Sequence, residues 1–410
     1  MHIFVYILFL LLSACGTQLV HEPTEVSYQI TPQPHGFLVE IKHNADHLRS
    51  QVVPEQSAYA LYQPLLGNNE YPIRYFILPK QKESTISDTF INNSNGFFQT
   101  TGHGLLACAG SEISISKTIQ ITWNAPASWQ FANSFSAGQK QQRFEASCDN
   151  IRNALYVGGY NFNLHKTSFG ALAIAGQFQN FSADQLANTI TENMKLVEGF
   201  WKTEPETNYF VSIRSISDQK HGGTAQFRSF QLQLSPNQQM GYELNRLIAH
   251  EYFHHWNGLK IKPHPQQNNL DISWFLEGFT DYYAYLLTAP DIASYQQSFH
   301  VKNFKNIGLA ELKRNSLNNS DYFHVPYVQG RRIAAWLDKK INQHSGKRLE
   351  QVMHELLKQA QDPSFFISQK SFLNTLCRGN YMSCAQAEEL LQTYVLEGVS
   401  DFKFPTNPLI

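Results

Sequence analysis

The sequence carries almost no net charge, few cysteines and no long apolar run. Its 32 lysine and arginine residues nearly balance 33 acidic residues, so the formal net charge is −1 over 410 residues. That balance gives no electrostatic reason to expect nucleic acid as a partner. None of the five cysteines forms a C-x-x-C motif, which argues against a cysteine-rich metal site. Hydrophobic residues make up 42%, enough for a sizeable core and two or three domains.

The apolar run at the amino terminus is too short to span a bilayer. It extends from Ile3 to Leu12 and suits the hydrophobic region of a secretory signal, although no Lys or Arg precedes it. Leu12-Ser13-Ala14-Cys15 resembles the lipobox of bacterial lipoproteins, in which cleavage precedes the cysteine and its sulfur is acylated. We therefore expect a signal peptide over residues 1–14, and lipidated Cys15 with a tether over 15–24. An uncleaved anchor helix with an incidental cysteine is the alternative.

Lipidation at Cys15 would anchor the chain to a membrane of a bacterial cell envelope, facing the periplasm or the exterior. Four cysteines then remain, and an even number in an exported protein favours disulfides. Three pairings are possible. The local one, which joins Cys108 to Cys148 and Cys377 to Cys384, keeps each bridge within one predicted domain.

The order of the secondary structure predicts an α+β chain. From Val26 to Lys166, alternating polar and apolar residues with Gly, Pro and Asn between them predict an antiparallel β domain over residues 25–166. The strands GALAIAGQF and NYFVSIRSI follow, and a helix between them is predicted to start at Ser182 with Gln185 completing a capping box. After Leu244 the pattern is mostly helical.

One later segment shows the spacing of an amphipathic helix. Its apolar residues recur at i, i+3, i+4, i+7 and i+8, and they are Leu349, Val352, Met353, Leu356 and Leu357.

The stretch AHEYFHHWNG contains His250, Glu251 and His254 in the spacing H-E-x-x-H. On a helix the two histidines lie one turn apart on the same face, so both imidazoles can reach one cation. Zn²⁺ accepts such ligands and needs a third protein ligand, which leaves a position for water. Glu251 is placed to take a proton from that water. His255 points about 100° away from His254 and is interpreted as packed or solvated.

The segment WFLEGFTDYY supplies the third ligand. Glu277 follows His254 after a Pro- and Asn-containing loop, and Asp281 lies four residues later on the same helix side. Glu277 can complete the zinc shell, while Asp281 can accept a hydrogen bond from a ligand histidine and fix its tautomer. A solvated helix carboxylate is the alternative for Glu277. Its many aromatic neighbours favour an enclosed ligand.

These segments resemble the glycyl aminopeptidase family of gluzincin metallopeptidases. HEYFHHWNGLKIKP, WFLEGFTDYY, PYVQGRRIAAWLD and GKRLEQVMHELL are similar to that family's blocks, in the same order, between about residues 250 and 357. The resemblance implies a β domain first, a thermolysin-like catalytic domain over residues 167–300 and a helical domain over 301–410.

The resemblance also implies a role for each site residue. His250, His254 and Glu277 would bind zinc, Glu251 would be the general base, and Tyr327 would donate a hydrogen bond to the oxyanion. A packed aromatic is the alternative for Tyr327. The substrate implied is a peptide or protein.

One strand departs from the family pattern. The family carries a glutamate-containing strand that anchors the free amino terminus of its substrate. HGGTAQF keeps Gly222 and Gly223 as substrate-binding candidates, but Ala225 stands at the glutamate position. Charge recognition of an α-ammonium group loses its obvious partner, so aminopeptidase and endopeptidase action both stay open. Backbone pairing along this strand suits either.

Two functions compete on this evidence. The favoured one is a zinc-dependent peptidase, because a glutamate base and an open zinc position are typical of catalysis. Its rival is a non-catalytic peptide-binding lipoprotein that retains the metallopeptidase fold, which the altered GGTAQF strand favours somewhat.

Overall fold

We describe the protein from a computed structural model. It describes residues 25–43, 60–64, 73–79, 90–92, 96–108, 114–217, 221–264, 272–290, 308–309, 311 and 324–398. The predicted signal peptide, Cys15 and the tether lie outside these residues. Within them, no helix combines the length and the apolar character that crossing a bilayer requires. The chain is a mixed α+β protein, as the sequence predicted.

The first part of the chain forms two β-sheets that pack face to face. The larger has the order β3-β4-β2-β1-β7-β9, and the smaller β5-β6-β10-β8. The larger consists of β1 (Glu25–Gln33), β2 (Gly36–His43), β3 (Ala60–Pro64), β4 (Ile73–Pro79), β7 (Ser116–Trp123) and β9 (Gln141–Ser147). The smaller consists of β5 (Phe90–Asn92), β6 (Phe97–Thr101), β8 (Gln130–Asn133) and β10 (Leu155–Gly159).

Period-two alternation explains how these sheets meet. In β1 the side chains of Val26, Tyr28 and Ile30 are buried, whereas the residues between them are partly exposed. They share a core with residues of the smaller sheet, including Phe98 and Phe131.

The predicted antiparallel pairing holds throughout these two sheets except between β1 and β7, which are parallel. Because β2 to β6 intervene between them in the chain, no hairpin fixes their relative direction.

Both predicted disulfides are present. Cys108 is bonded to Cys148 at a Cα–Cα distance of 5.7 Å, and Cys377 to Cys384 at 5.0 Å. Cys148 begins the short helix α1 (Cys148–Arg152), whose N-cap Ser147 accepts a hydrogen bond from the Asn150 amide. The local pairing was therefore the right one among the three possible.

A five-stranded sheet of order β11-β12-β13-β15-β14 follows. Its strands are β11 (Asn163–Thr167), β12 (Gly170–Ala175), β13 (Tyr209–Ser215), β14 (Gly222–Gln226) and β15 (Ser229–Leu234). The parallel strands β12 and β13 are joined through helix α2 (Ala183–Trp201), with Ser182 and Gln185 forming the predicted capping box. β14 pairs antiparallel with β15 at the end of the sheet.

Helices cover one face of this sheet and continue to the end of the described chain. They are α3 (Tyr242–Phe253), α4 (Ser273–Thr288), α5 (Val325–Ser345), α6 (Leu349–Gln359), α7 (Gln369–Arg378), α8 (Cys384–Leu390) and a π-helical turn (Leu391–Leu396). The amphipathic stripe predicted in α6 is buried at Leu349, Val352, Met353 and Leu356.

One hydrophobic core includes residues from Phe169 to Val395, on both sides of position 300. The domain division at residues 166 and 300 stays a prediction. What the fold establishes is that α3, α4, α5 and β14 share one packed unit, and these four elements carry the candidate site.

Candidate active site

The two histidines and Glu277 converge on one point between α3 and α4. His250 lies in the last turn of α3, His254 caps its carboxyl end, and Glu277 lies in the second turn of α4. His254 Nε2 is 3.2 Å from His250 Nε2 and 3.2 Å from Glu277 Oε2. His250 Nε2 is 3.5 Å from the same Glu277 oxygen. All three ligand atoms lie within 4.8 Å of one another.

The residues present fit a zinc ion. Two imidazole nitrogens and one carboxylate oxygen form the donor set of catalytic zinc sites, in which a fourth position is left open. His250 is buried, whereas His254 and Glu277 are partly exposed, so the cluster opens to solvent on one side. Among the residues that the structure describes, this is the one group of this kind.

Asp281 lies behind His250, where the sequence predicted it. Its Oδ1 is 3.5 Å from His250 Nδ1, and its side chain is 6% exposed. Arg246 Nη1 donates to Oδ1 at 3.0 Å and Arg331 Nη1 donates to Oδ2 at 2.5 Å. Burial by itself raises the pKa of Asp281, but the charge of Arg331, the hydrogen bond with His250 and the charge of Arg246 lower it below its usual value. Asp281 is therefore an ionised acceptor.

The second histidine is oriented by a backbone carbonyl instead. His254 Nδ1 lies 2.9 Å from Asn257 O. A carbonyl oxygen only accepts, so Nδ1 carries a proton and Nε2 is the nitrogen that faces the cluster. The Asn257 side chain is fully buried, and its Nδ2 donates to Leu276 O at 3.1 Å and to Thr280 Oγ1 at 3.0 Å, both on α4.

Glu251 packs against the edge strand. It is 5% exposed, and a Cβ added at Gly223 of β14 would lie 2.6 Å from its Oε1. A side chain at this position would therefore displace the carboxyl group of Glu251 from its observed place. Gly223 is thus brought next to the predicted base, while Gly222 lies beside it on β14, opposite Gln233 of β15.

Tyr327 comes to the same site from α5. Its ring is stacked at 24° on that of His250, with centroids 5.9 Å apart. Burial raises the pKa of Tyr327 well above 10, and the negative charges of Glu277 and Glu251 raise it further. The hydroxyl is therefore protonated at neutral pH and can act as a donor.

The charges and hydrogen bonds of the clustered side chains shift the pKa values of Glu277 and His250. Burial would raise the pKa of Glu277, but the charge of His254 and the hydrogen bonds of His250 and His254 lower it below its usual value. For His250 the sign is reversed: burial would lower its pKa, whereas hydrogen bonds to Asp281 and Glu277 raise it. Glu277 is consequently ionised and available as a ligand.

His255 lies apart from this cluster, in agreement with its predicted packed position. Its Nε2 is 2.9 Å from Glu206 Oε1, and it is 5% exposed. Its ring meets those of Trp256 and Tyr209 edge to face.

Three residues of the site were not found in the sequence analysis. Arg331 had a signal, because it follows Tyr327 by one turn of a predicted helix and so shares its face. Arg246, four residues before His250 on α3, had the same signal. Asn257 had none, since its function depends on a backbone carbonyl and on contacts with another helix.

Comparisons with known proteins show one local family similarity and several structures with a similar fold. The sequence profile of the M61 glycyl aminopeptidase family matches residues 243–307. No curated protein matches the chain. An aminopeptidase N family protein from Idiomarina loihiensis has a similar fold, with a TM-score of 0.66 at 16% identity over 90% of this chain and 78% of that one.

Two further structures share the fold. The M1 zinc metallopeptidase from Deinococcus radiodurans gives a TM-score of 0.55 at 13% identity, with 94% of this chain and 95% of that one covered. Yeast LTA4 hydrolase gives 0.56 at 12% identity, with 93% and 69% covered. The chain is thus similar to the M61 glycyl aminopeptidase family over a segment that includes α4 and nearly all of α3, and it shares its fold with these solved structures.

Proposed function

We propose that this protein is a zinc-dependent peptidase in which His250, His254 and Glu277 hold the metal and Glu251 is the general base. The observation that carries the proposal is the convergence of three ligand atoms within 4.8 Å, with Glu251 on the same helix turn as the first ligand. The ring of Tyr327 is stacked against that of His250. A site that only stored or displayed a metal would need neither the base nor the donor.

Zinc, when bound there, polarises the scissile carbonyl and lowers the pKa of water to about 7. Glu251 then accepts a proton from the attacking water and passes it to the leaving amine. Such general acid–base transfer contributes typically 10²–10⁴-fold in rate.

Tyr327 donates its hydroxyl proton in a hydrogen bond to the oxyanion that develops on the substrate carbonyl. An oxyanion donor of this kind contributes about 3 kcal/mol. Because its pKa is raised by burial, Tyr327 stays a neutral donor through the reaction.

The substrate is proposed to be a peptide in extended conformation that lies along β14. This strand is the outermost of its sheet, and Gly223 borders Glu251, so a peptide beside β14 passes the base. β14 reads Gly-Gly-Thr-Ala-Gln and carries no carboxylate. Without a negative charge there, the strand offers no partner for a free α-ammonium group, which favours cleavage within peptides over strict removal of the first residue.

The rival function is binding of peptides without cleavage, and the same substituted strand is its support. A peptide library read by mass spectrometry separates the two. Half of the peptides carry an acetylated amino terminus, and the zinc-loaded protein is compared with Glu251→Gln. Cleavage of both halves, lost in the variant, is expected. Cleavage of free peptides alone would indicate an aminopeptidase. Zinc binding without any cleavage would support the rival.

We also propose that the peptidase is anchored in the bacterial envelope through acylated Cys15. The lipobox-like Leu12–Cys15 segment supports this. Expressed in bacteria with an alkyne-bearing fatty acid, the full chain should become labelled and fractionate with membranes, and Cys15→Ser should do neither. Equal labelling of the variant would refute lipidation at Cys15.

A further inference from the structure

Two arginines share the carboxylate of Asp281. Arg246 binds Oδ1 from α3 and Arg331 binds Oδ2 from α5, whereas His250 lies on the Oδ1 side. Both guanidinium groups also lie over the ring of Tyr285, at 4.8 Å for Arg246 and 4.2 Å for Arg331. Asp281 is therefore held on both oxygens, and its orientation toward His250 is fixed by charge-assisted hydrogen bonds.

Arg331 is the partner that comes from outside the two ligand-bearing helices. It lies one turn after Tyr327, and its side chain is 4% exposed. A guanidinium buried this deeply is stable only when paired, and the described chain gives it the carboxylate of Asp281. Arg331 thus connects α5, which carries Tyr327, to Asp281, which lies beside His250.

A close helix contact makes this reach possible. Gly278 of α4 faces Gly330 of α5 so closely that a methyl group on either residue would collide with the backbone of the other helix. Arg331 is the next residue after Gly330, and its side chain reaches the carboxylate of Asp281 on α4. The two helices and the ion pair therefore fix one relative position of α4 and α5.

We propose that Arg331 is a positioning residue of the active site, which orients His250 through Asp281 and places Tyr327 through its own helix. The inference rests on the proposed function, because it assigns Arg331 to the same zinc site. Arg246 shares the first of these tasks from α3, but not the second. Neither arginine touches the substrate or the reacting atoms.

The test compares Arg331→Met and Arg331→Lys with Arg332→Met as the matched control. Arg332 is the next residue, and its Nη1 donates to Gln329 Oε1 at 3.3 Å rather than to Asp281. The zinc dissociation constant is measured by competition with a chromogenic chelator, and kcat and KM are measured separately on a cleaved peptide. The apo proteins are also melted, to follow stability apart from metal binding.

Arg331→Met should weaken zinc binding about 10- to 100-fold, the usual effect of losing an outer partner of a metal ligand. It should also lower kcat about tenfold with KM changed by less than about twofold. Arg331→Lys keeps the positive charge but loses the planar guanidinium group. Its zinc affinity and kcat should therefore lie between those of wild type and Arg331→Met. Arg332→Met should change neither quantity. In an Asp281→Asn background, Arg331→Met should have little further effect on zinc affinity.

The proposal is overturned if Arg331→Met lowers only the melting temperature, or if Arg331→Met and Arg332→Met weaken zinc binding equally. It is also overturned if the effects of Asp281→Asn and Arg331→Met on zinc affinity simply add. Should Arg331→Met not fold, the Lys variant carries the same comparison. Zinc affinity does not depend on turnover. A wild-type protein that binds zinc but cleaves nothing would therefore refute the peptidase, while the response of zinc binding to Arg331 would still test the positioning of His250.

Discussion

At the scale of single residues, the two histidines that we propose as zinc ligands face different kinds of partner. His250 faces a carboxylate that two arginines hold, whereas His254 faces the backbone carbonyl of Asn257. A carboxylate partner raises the basicity of its imidazole more than a carbonyl does. The two ligands are thus fixed by separate networks, and each network can be tested by itself.

The contact of Gly223 with Glu251 gives the first prediction. In Gly223→Ala the added methyl group would lie 2.6 Å from Glu251 Oε1, so the base must shift. A displacement of about 1 Å can lower the rate about 10²-fold, and kcat/KM is expected to fall by at least that factor. Zinc affinity should change by less than about twofold, because the metal ligands are untouched.

Gly199→Ala is the matched control for this change. A Cβ at Gly199 of α2 would meet nothing within 4 Å. Activity should therefore be unchanged, and the unfolding free energy should rise by about 0.5–1 kcal/mol as helix propensity improves. An active Gly223→Ala enzyme would show that Glu251 need not occupy its observed position.

Asn257 gives the second prediction. Its side-chain amide donates to Leu276 O and Thr280 Oγ1, and an ionised aspartate can only accept. Asn257→Asp should therefore lower the unfolding free energy by about 2–4 kcal/mol, and it should weaken zinc binding because the carbonyl that orients His254 moves. Chemical denaturation and chelator competition measure the two effects.

Asn245→Asp, on α3, is the control. The Oδ1 of Asn245 accepts a hydrogen bond from Asn193 Nδ2 at 3.2 Å, and an aspartate can accept in the same way. Its stability should stay within about 1 kcal/mol of wild type. Equal losses in both variants would mean that the amide of Asn257 has no special part in the site.

At the scale of elements, the segment that follows α3 holds the chain before β13 through Glu206. Behind the site, Glu206 Oε1 accepts from His255 Nε2 at 2.9 Å, and Lys260 Nζ is 3.6 Å away. The hydrogen bond from His255 is the largest cause of a shift that, against burial, lowers the pKa of Glu206 from 4.5 to about 2. The charges of His255, Lys260 and Arg228 act in the same direction.

This lowered pKa predicts acid sensitivity. A carboxyl group whose pKa is lower in the folded than in the unfolded state stabilises the fold fully above the unfolded value, here about 4.5, and loses that effect as the pH falls toward 2. Glu206→Gln should lower the unfolding free energy at pH 7 by about 1–2 kcal/mol, after allowing for partial solvent screening. It should also flatten the fall in stability between pH 4.5 and 2.

Denaturation curves at several pH values measure this slope. Glu204→Gln, a change at an exposed carboxyl two residues away, should leave the slope as in wild type. If the unfolding free energy of Glu206→Gln fell with decreasing pH in parallel with that of wild type, the acid sensitivity could not be due to Glu206.

The sequence predicted those elements whose signals are local. The capping box at Ser182 and the stripe of α6 depend on spacings of three or four residues, and both were found as predicted. The cluster of His250, His254 and Glu277 also depends on short patterns on two helices, and the structure brings these three side chains together, whereas their role as metal ligands stays a prediction. The parallel pairing of β1 with β7 was missed, since strand alternation records which side chains are buried but not which strand lies alongside.

The outer partners of the ligands were only partly predictable. Asp281 shares a helix face with Glu277, and its Oδ1 lies 3.5 Å from His250 Nδ1, whereas its role in fixing the tautomer of that histidine stays a prediction. Arg331 lies 50 residues from Asp281, and only the approach of α4 to α5 through Gly278 and Gly330 brings them together. Helix spacing places Arg331 on the same face as Tyr327, but it does not indicate that the partner of Arg331 lies on another helix.

At the scale of the whole molecule, the two disulfides close loops of very different length. Cys108–Cys148 spans 40 residues, whereas Cys377–Cys384 spans 7. On the chain-entropy argument the first stabilises by about 4 kcal/mol and the second by about 2 kcal/mol. Replacing the first pair by Ser should therefore lower the unfolding free energy more than replacing the second.

Chemical denaturation of the two double variants gives this comparison. Each bridge is remote from the zinc ligands in the chain, so zinc affinity serves as the control and should be unchanged in both. A larger loss for Cys377→Ser with Cys384→Ser would show that loop length does not decide their relative contributions.

The whole molecule brings the site together from elements on both sides of residue 300. The proposed zinc ligands come from α3, its C-cap and α4, the proposed donor Tyr327 from α5 and the proposed substrate edge from β14, and the three helices share one hydrophobic core. The proposed peptidase activity requires the metal, the base Glu251 and the folded site together. An experiment that removes one of these and keeps the others is therefore the most informative.

The most direct measurement follows peptide cleavage through removal and return of zinc, in wild type and in Glu251→Gln. Wild type should lose activity when a chelator removes the metal and regain it with one equivalent of zinc. Glu251→Gln should bind that equivalent and be slower by a factor of at least 10². Cleavage that persists without metal, or a Glu251→Gln protein as active as wild type, would contradict a zinc peptidase with Glu251 as its base.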